Sequence, residues 1–176
     1  RLVDDSSTAP NNGDTVDADP NGDTTVFSSS TVELDTSITA VNDAPLASGS
    51  ASLAAINEDS ADPAGETVST LFGSNFDDTT DTVSGGSSAH SLAGVVITAN
   101  AASAAQGTWQ WQADGSASWT DIATSGLDDD NALFLASTTK LRFLPASDFN
   151  GTPGALTTRL VDDSSTAPNN GDTVDA

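Results

Sequence analysis

Cysteine, methionine and tyrosine are missing from this chain, basic residues number four, and no apolar run approaches the length of a membrane span. Without cysteine there is no disulfide framework, no thiol nucleophile and no thiolate metal site. A repeat of this size can bury a core without such bridges. The four cations, Arg1, Lys140, Arg142 and Arg159, face 26 acidic residues, and the net charge of −22 excludes nucleic acid as a partner. Nothing in the sequence supports helical membrane insertion. His90 is the only histidine; with no second histidine and no activated serine pattern, it reads as a surface or hydrogen-bonded side chain. The acids are scattered through turns and do not form a recognisable catalytic pair, so the chain reads as a non-enzyme.

What the chain does have is a long exact repetition. Residues 1–18, RLVDDSSTAPNNGDTVDA, recur without a difference as residues 159–176. Polar, turn-rich sequence is weakly constrained by packing and drifts after duplication, so identity over this length marks a recent or homogenised tandem repeat. The offset from Arg1 to Arg159 is 158 residues. That is far longer than a solenoid unit, so each repeat is expected to be a whole domain strung beside its neighbours.

Residues 31–41, TVELDTSITAV, alternate cleanly, with Val32, Leu34, Thr36, Ile38 and Ala40 on one face, and read as a half-buried antiparallel strand. VNDAP at 41–45 ends it, because Pro45 and the polar residues before it stop a strand. The division is placed here: 1–45 as the C-terminal part of a preceding repeat, 46–176 as most of one repeat lacking its final strand. Residues 51–57 read as a short strand and 68–72 as one or two helical turns closed by Gly73. Ser84–Ser91 reads as a loop and GVVITA at 94–99 as a buried strand. GTWQWQADGSASWTDI reads as a hairpin turning at Asp114–Gly115. ALFL, KLRFL and ALTTRLVDD supply further strands, while NGT at Asn150, a formal glycosylation sequon, reads as a turn. Many short strands, frequent turns and almost no helix describe an all-β antiparallel Greek-key sandwich.

Asp greatly outnumbers Glu, which is confined to Glu33, Glu58 and Glu66. Short carboxylates in tight turns suit a hard cation such as calcium, and they equally suit plain solvated turns. Asp17, Asp19, Asn21 and Asp23 alternate around Gly22 like the start of an EF-hand loop, but the bidentate Glu is missing, since position twelve is Ser28. The choice there lies between an irregular calcium loop and an Asx-rich turn. Asp77, Asp78 and Asp81 are close enough in sequence to share an ion or to be a solvated loop. Trp109, Trp111 and Trp119 could form a sugar-stacking platform, which makes a carbohydrate-binding module the alternative function. Core packing is the commoner role for Trp in a chain with few aromatics.

VNDAP, INEDS at 56–60, the Trp hairpin and LRFLPASDFNG leading into ALTTRLVDDSS together resemble the cadherin-like, Ig-like tandem repeats of large bacterial surface and biofilm proteins, including RTX-type adhesins. The resemblance runs from about Asn42 to the end and continues through 1–41 as the tail of a preceding copy. It implies an extracellular extender on a bacterial surface or in a secreted matrix, stiffened by calcium, with adjacent identical repeats as partners. Carried over from the calcium-binding linker of cadherins, it nominates Asn42, Asp43, Glu58 and Asp59 as ligands, with Asp77 or Asp78 as further candidates; the second Asn of that linker is absent here. The repeat register also places the equivalents of 19–41 after residue 176. Asn42–Pro45 spans at most about 14 Å, too little to return strand 31–41 to its own sheet. Residues 24–41 are therefore expected to complete a neighbouring molecule's sheet, head to tail.

Overall fold

Alternation and short apolar runs become two antiparallel sheets in the computed structural model, which describes residues 2–5, 10–82 and 88–176. Half of the expected Ser84–Ser91 loop, residues 84–87, lies outside the described residues. The chain divides into two compact units, 1–39 and 40–176. Asn42–Pro45 therefore belongs to the larger one.

The larger unit holds β1 (Leu46–Ala47), β2 (Glu66–Thr67), α1 (Val68–Phe72), β3 (Phe76–Asp77), β4 (Leu92–Asn100), β5 (Gly107–Gln112), β6 (Thr120–Asp121), β7 (Ala132–Ala136), β8 (Lys140–Pro145), β9 (Leu156–Asp162) and β10 (Thr173–Val174). One sheet runs β10-β7-β4-β9 and the other β2-β8-β5-β6, while β1 pairs β3 separately. The pairings are antiparallel, among them Val95 opposite Leu135 and Leu160, and Trp109 opposite Phe143. This is an all-β sandwich, with α1 as the single α-helix among the described residues.

Successive β-strand side chains point to opposite faces, and β4 is apolar on both. Val95 and Ile97 join Leu135, Leu141, Ile122 and Val68 in the core between the sheets. Val96 points the other way, against Ala132 and Phe134, with Val161 and Val174 alongside. The chain after β9 returns over this second face, where the Phe134 N–H donates to Asp172 O and the Gly171 N–H to Phe134 O. In α1 the Thr67 hydroxyl accepts from Thr70 N, so a side-chain oxygen satisfies a donor that the first turn cannot. Gly73 ends the helix in a right-handed conformation and continues into a short 3-10 turn.

Two expectations of strand are corrected. Residues 31–41 carry no strand, and Val32, Leu34, Ile38 and Val41 are 67%, 98%, 93% and 78% exposed. Residues 51–57 are also unpaired, and no described backbone hydrogen bond is made by 51–56. The physical reason is common to both. Alternation specifies a face, but a strand exists only when a second backbone accepts its N–H and C=O groups.

Candidate metal site at one end of the sandwich

The stretch FDDTTD bends sharply at the start of its last three residues. The Asp77 carboxylate accepts from Thr79 N at 2.9 Å, an Asx turn that leads into one 3-10 turn, Thr79–Asp81. Hydrogen bonding from the Thr79 side chain, with the Thr79 N–H adding to it, holds the exposed Asp77 carboxyl below its ordinary value of 3.8. The turn sends its neighbours inward: Asp78 is 4% exposed and Asp81 1%. Of the three candidates in this stretch, Asp77 stays in solvent and the other two are buried.

Two further segments meet these carboxylates. The Asp43 N–H donates to Asp81 Oδ1 at 2.9 Å, and Asn42 Nδ2 lies 3.5 Å from Asp162 Oδ2 at the end of β9. Asp78 Oδ2 accepts from the His90 N–H, while Asp78 Oδ1 is buried with no hydrogen-bond partner among the described residues. Asp163 Oδ1 accepts from Ser91 N at 2.8 Å and lies 3.2 Å from His90 Nδ1. Burial pushes the Asp162 carboxyl up, but hydrogen bonds from Ser164 and Asn42 and the nearby His90 outweigh it and leave the group below 3.8. Asp163 is lowered chiefly by the Ser91 N–H, with His90 adding to the effect.

One end of the larger unit thus gathers Asn42, Asp43, Asp78, Asp81 and Asp162. Sequence reading nominated four of these and missed Asp162. Its signal was the acidic pair closing β9, which as sequence is indistinguishable from a strand running out into solvent. The arrangement brings the buried carboxylates of Asp78, Asp81 and Asp162 beside Asn42 and Asp43, and carboxylate oxygens are what a hard cation takes. Among the described residues, no three or more His, Cys, Asp or Glu side chains form a group that could hold a metal ion.

Glu58 and Asp59, named with Asn42 and Asp43 from the resemblance to the cadherin linker, lie apart from these groups. Asn150 Nδ2 donates to Glu58 Oε2 at 3.3 Å, and Asp148 N donates to Asp59 Oδ1 at 2.9 Å. Their partners follow β8 and precede β9, whereas Asp162 closes β9, so the two acid sets sit at opposite ends of the sandwich. The cause is that the chain from Asn42 to Glu58 traverses the length of β9, roughly 20 Å at about 3.3 Å per residue.

Asp17, Asp19, Asn21 and Asp23 form local turns: Asp17 Oδ1 accepts from Asp19 N at 3.0 Å, and Asn21 Nδ2 donates to Ala18 O at 3.4 Å. This is Asx-turn geometry. The tryptophans are all half-buried. Trp109 meets Phe143 edge to face at 5.2 Å and donates from Nε1 to Gly154 O at 2.8 Å. It packs on the core, as does Trp111. Arg142 covers the Trp119 ring with Cζ 4.0 Å from its centroid, while its guanidinium pairs with Asp62 at 2.6 Å. Rings engaged in this way weigh against a sugar platform.

Comparison with protein-family models, with curated proteins and with solved structures finds no match for this chain.

Proposed function

We propose that this chain is a non-enzymatic extender repeat of a long extracellular adhesin or fibre, in which calcium at the repeat junctions stiffens a string of β-sandwiches. The observation that carries this reading is the burial of Asp78, Asp81 and Asp162 beside Asn42 and Asp43, at the point where the chain enters the larger unit. An ionised carboxylate taken out of water without a counter-charge is costly. Among the described residues the ion pairs take Arg142 to Asp62, Arg159 to Asp129 and His90, when protonated, to Asp163, and none of these is made to Asp78, Asp81 or Asp162. A divalent cation would supply the missing charge and give Asp78 Oδ1 a ligand. The exact tandem repetition supports a modular array, and the net charge of −22 supports a junction that repels itself until cations bridge it. Acid sets at both ends of the sandwich give each junction in such an array groups from two repeats. The partners are adjacent identical repeats, and the place is a bacterial cell surface or secreted matrix.

The test is thermal unfolding in chelator, in millimolar calcium and in equal magnesium. Extracellular calcium modules bind at about 0.1–1 mM, so calcium at ten times the Kd contributes about 1.4 kcal/mol per site, with magnesium giving much less. Asp78→Asn removes a buried charge while keeping an oxygen for the His90 N–H. It is expected to leave the calcium-free protein as stable as before, or more so, and to abolish part of the calcium response. A melting temperature indifferent to calcium in both proteins overturns the reading.

A further inference from the structure

The larger unit contains two Asn–Gly steps, Asn150–Gly151 and Asn170–Gly171. In such a step the backbone nitrogen of the glycine can close on the side-chain carbonyl carbon of the asparagine, since a following residue without a Cβ leaves that path unobstructed. The reaction is intramolecular and needs no catalyst, so its rate is decided by whether the fold lets the two atoms meet.

The two steps stand in opposite surroundings. Asn170 Oδ1 accepts from Ala136 N at 2.6 Å and from the Thr139 hydroxyl at 2.7 Å, and the Gly171 N–H donates to Phe134 O at 3.0 Å. Electrophile and nucleophile are therefore both held in place by β7 and the turn after it. Asn150 is exposed between β8 and β9, and the Gly151 N–H makes no described hydrogen bond. Gly151 has a φ of +122°, and a Cβ there would meet nothing within 4 Å, so nothing crowds the ring that has to close. The described contact of the Asn150 side chain runs from Nδ2 to Glu58 Oε2 at 3.3 Å, which engages the nitrogen that leaves and not the carbonyl carbon.

We propose that Asn150 is a self-modifying site whose product is a carboxylate facing Glu58. The Gly151 nitrogen gives up its proton to solvent and bonds to Asn150 Cγ; the Cγ–Nδ2 bond breaks, and Nδ2 takes a proton and leaves as ammonia. Water then opens the resulting five-membered imide at either carbonyl. One opening gives aspartate, the other an isoaspartate in which the main chain runs through Cβ and Cγ. Either product replaces the Asn150–Glu58 hydrogen bond by two like charges, while the contact of Asp148 N with Asp59 Oδ1 remains. Modification thus undoes one of the two ties between residues 58–59 and the chain after β8. It depends on neither calcium nor the repeat array, so its experiment is done in chelator.

The full chain is incubated at mildly alkaline pH, folded or in urea, and then cut with a protease that cleaves after leucine and aromatic residues. This releases 150–156 and 161–176 as separate peptides, whose aspartyl and isoaspartyl forms are resolved by chromatography and placed by fragmentation in the mass spectrometer. Three hydrogen bonds have to break at Asn170, so Asn150 is expected to convert at least about tenfold faster in the folded protein. Urea is expected to bring the two rates together, because the dipeptide is the same. Asn150→Gln, whose longer side chain would have to close a six-membered ring, is expected to leave 150–156 in the amide form. A wild-type 150–156 peptide that stays in the amide form, one that converts no faster than Asn170 in the folded protein, or a difference that survives in urea overturns the proposal.

Discussion

The two copies of RLVDDSSTAPNNGDTVDA are one sequence in two surroundings. Their turns are the same. Asn11 N and Nδ2 donate to Asp14 Oδ2 at 3.0 and 3.1 Å, and Asn169 N and Nδ2 donate to Asp172 Oδ2 at 2.9 and 3.1 Å. The glycine between them is left-handed in both, with φ of +89° at Gly13 and +87° at Gly171. Beyond the turn they diverge. Leu2 is 65% exposed and Val16 46%, whereas their counterparts Leu160 and Val174 pack on the two apolar clusters of the sandwich. Val3 makes an isolated bridge with Phe27, while Val161 belongs to the long β9–β4 ladder. Asn170 Oδ1 accepts from Ala136 N at 2.6 Å and from the Thr139 hydroxyl at 2.7 Å, whereas Asn12 is exposed. Short-range hydrogen bonding travels with the sequence; strand formation and burial depend on what the rest of the chain places opposite.

Paired substitutions can break or sharpen this contrast. The largest difference is expected at the leucines: Leu160→Ala should cost about 2–4 kcal/mol in urea unfolding, and Leu2→Ala at most about 0.5 kcal/mol. Equal costs would mean that the first copy is as well packed as the second, and the contrast would fail. Asn170→Ala leaves the Ala136 N–H and the Thr139 hydroxyl without their acceptor, an expected loss of about 1–2 kcal/mol, against no measurable change for Asn12→Ala.

The glycine pair separates local from tertiary effects. Alanine at either position meets the same unfavourable φ, a local strain of about 1 kcal/mol. A Cβ on Gly171 would also lie 3.2 Å from the Trp111 ring, while one on Gly13 would meet nothing within 4 Å. Gly171→Ala should therefore shift Trp fluorescence and Gly13→Ala should not.

The smallest effect is electrostatic and concerns Asp163, the counterpart of Asp5. Its carboxyl lies below 3.8 in the folded protein, so it contributes stability that is present above pH 3.8 and is lost as the pH falls through the lower, folded value. Asp163→Asn should slightly lower stability at neutral pH and flatten the acid-side decline. An unchanged acid profile would show that the contacts to Ser91 and His90 carry no linkage.

Much of the molecule was legible beforehand. The hairpin around Asp114–Gly115 pairs β5 with β6, α1 spans Val68–Phe72, and the apolar runs at 94–99, 132–135 and 140–144 are strands. Each of these rests on neighbours in sequence or on a run long enough to be buried wherever it lands. The alternation of 31–41 was equally clear, yet it forms no strand, because its partner edge is not fixed by anything within those residues. The acids divide in the same way. That Asp77 would make a turn follows from its own side chain reaching Thr79. That Asp78, Asp81 and Asp162 would be buried near one another while Glu58 and Asp59 went to the far end followed from the course of the chain along β9. Sequence alone determined the repeat, the turns and the faces of the strands, since these depend on interactions a few residues apart. Only the tertiary structure decided which faces find a partner and which carboxylates lose their water, because burial is a property of what lies opposite.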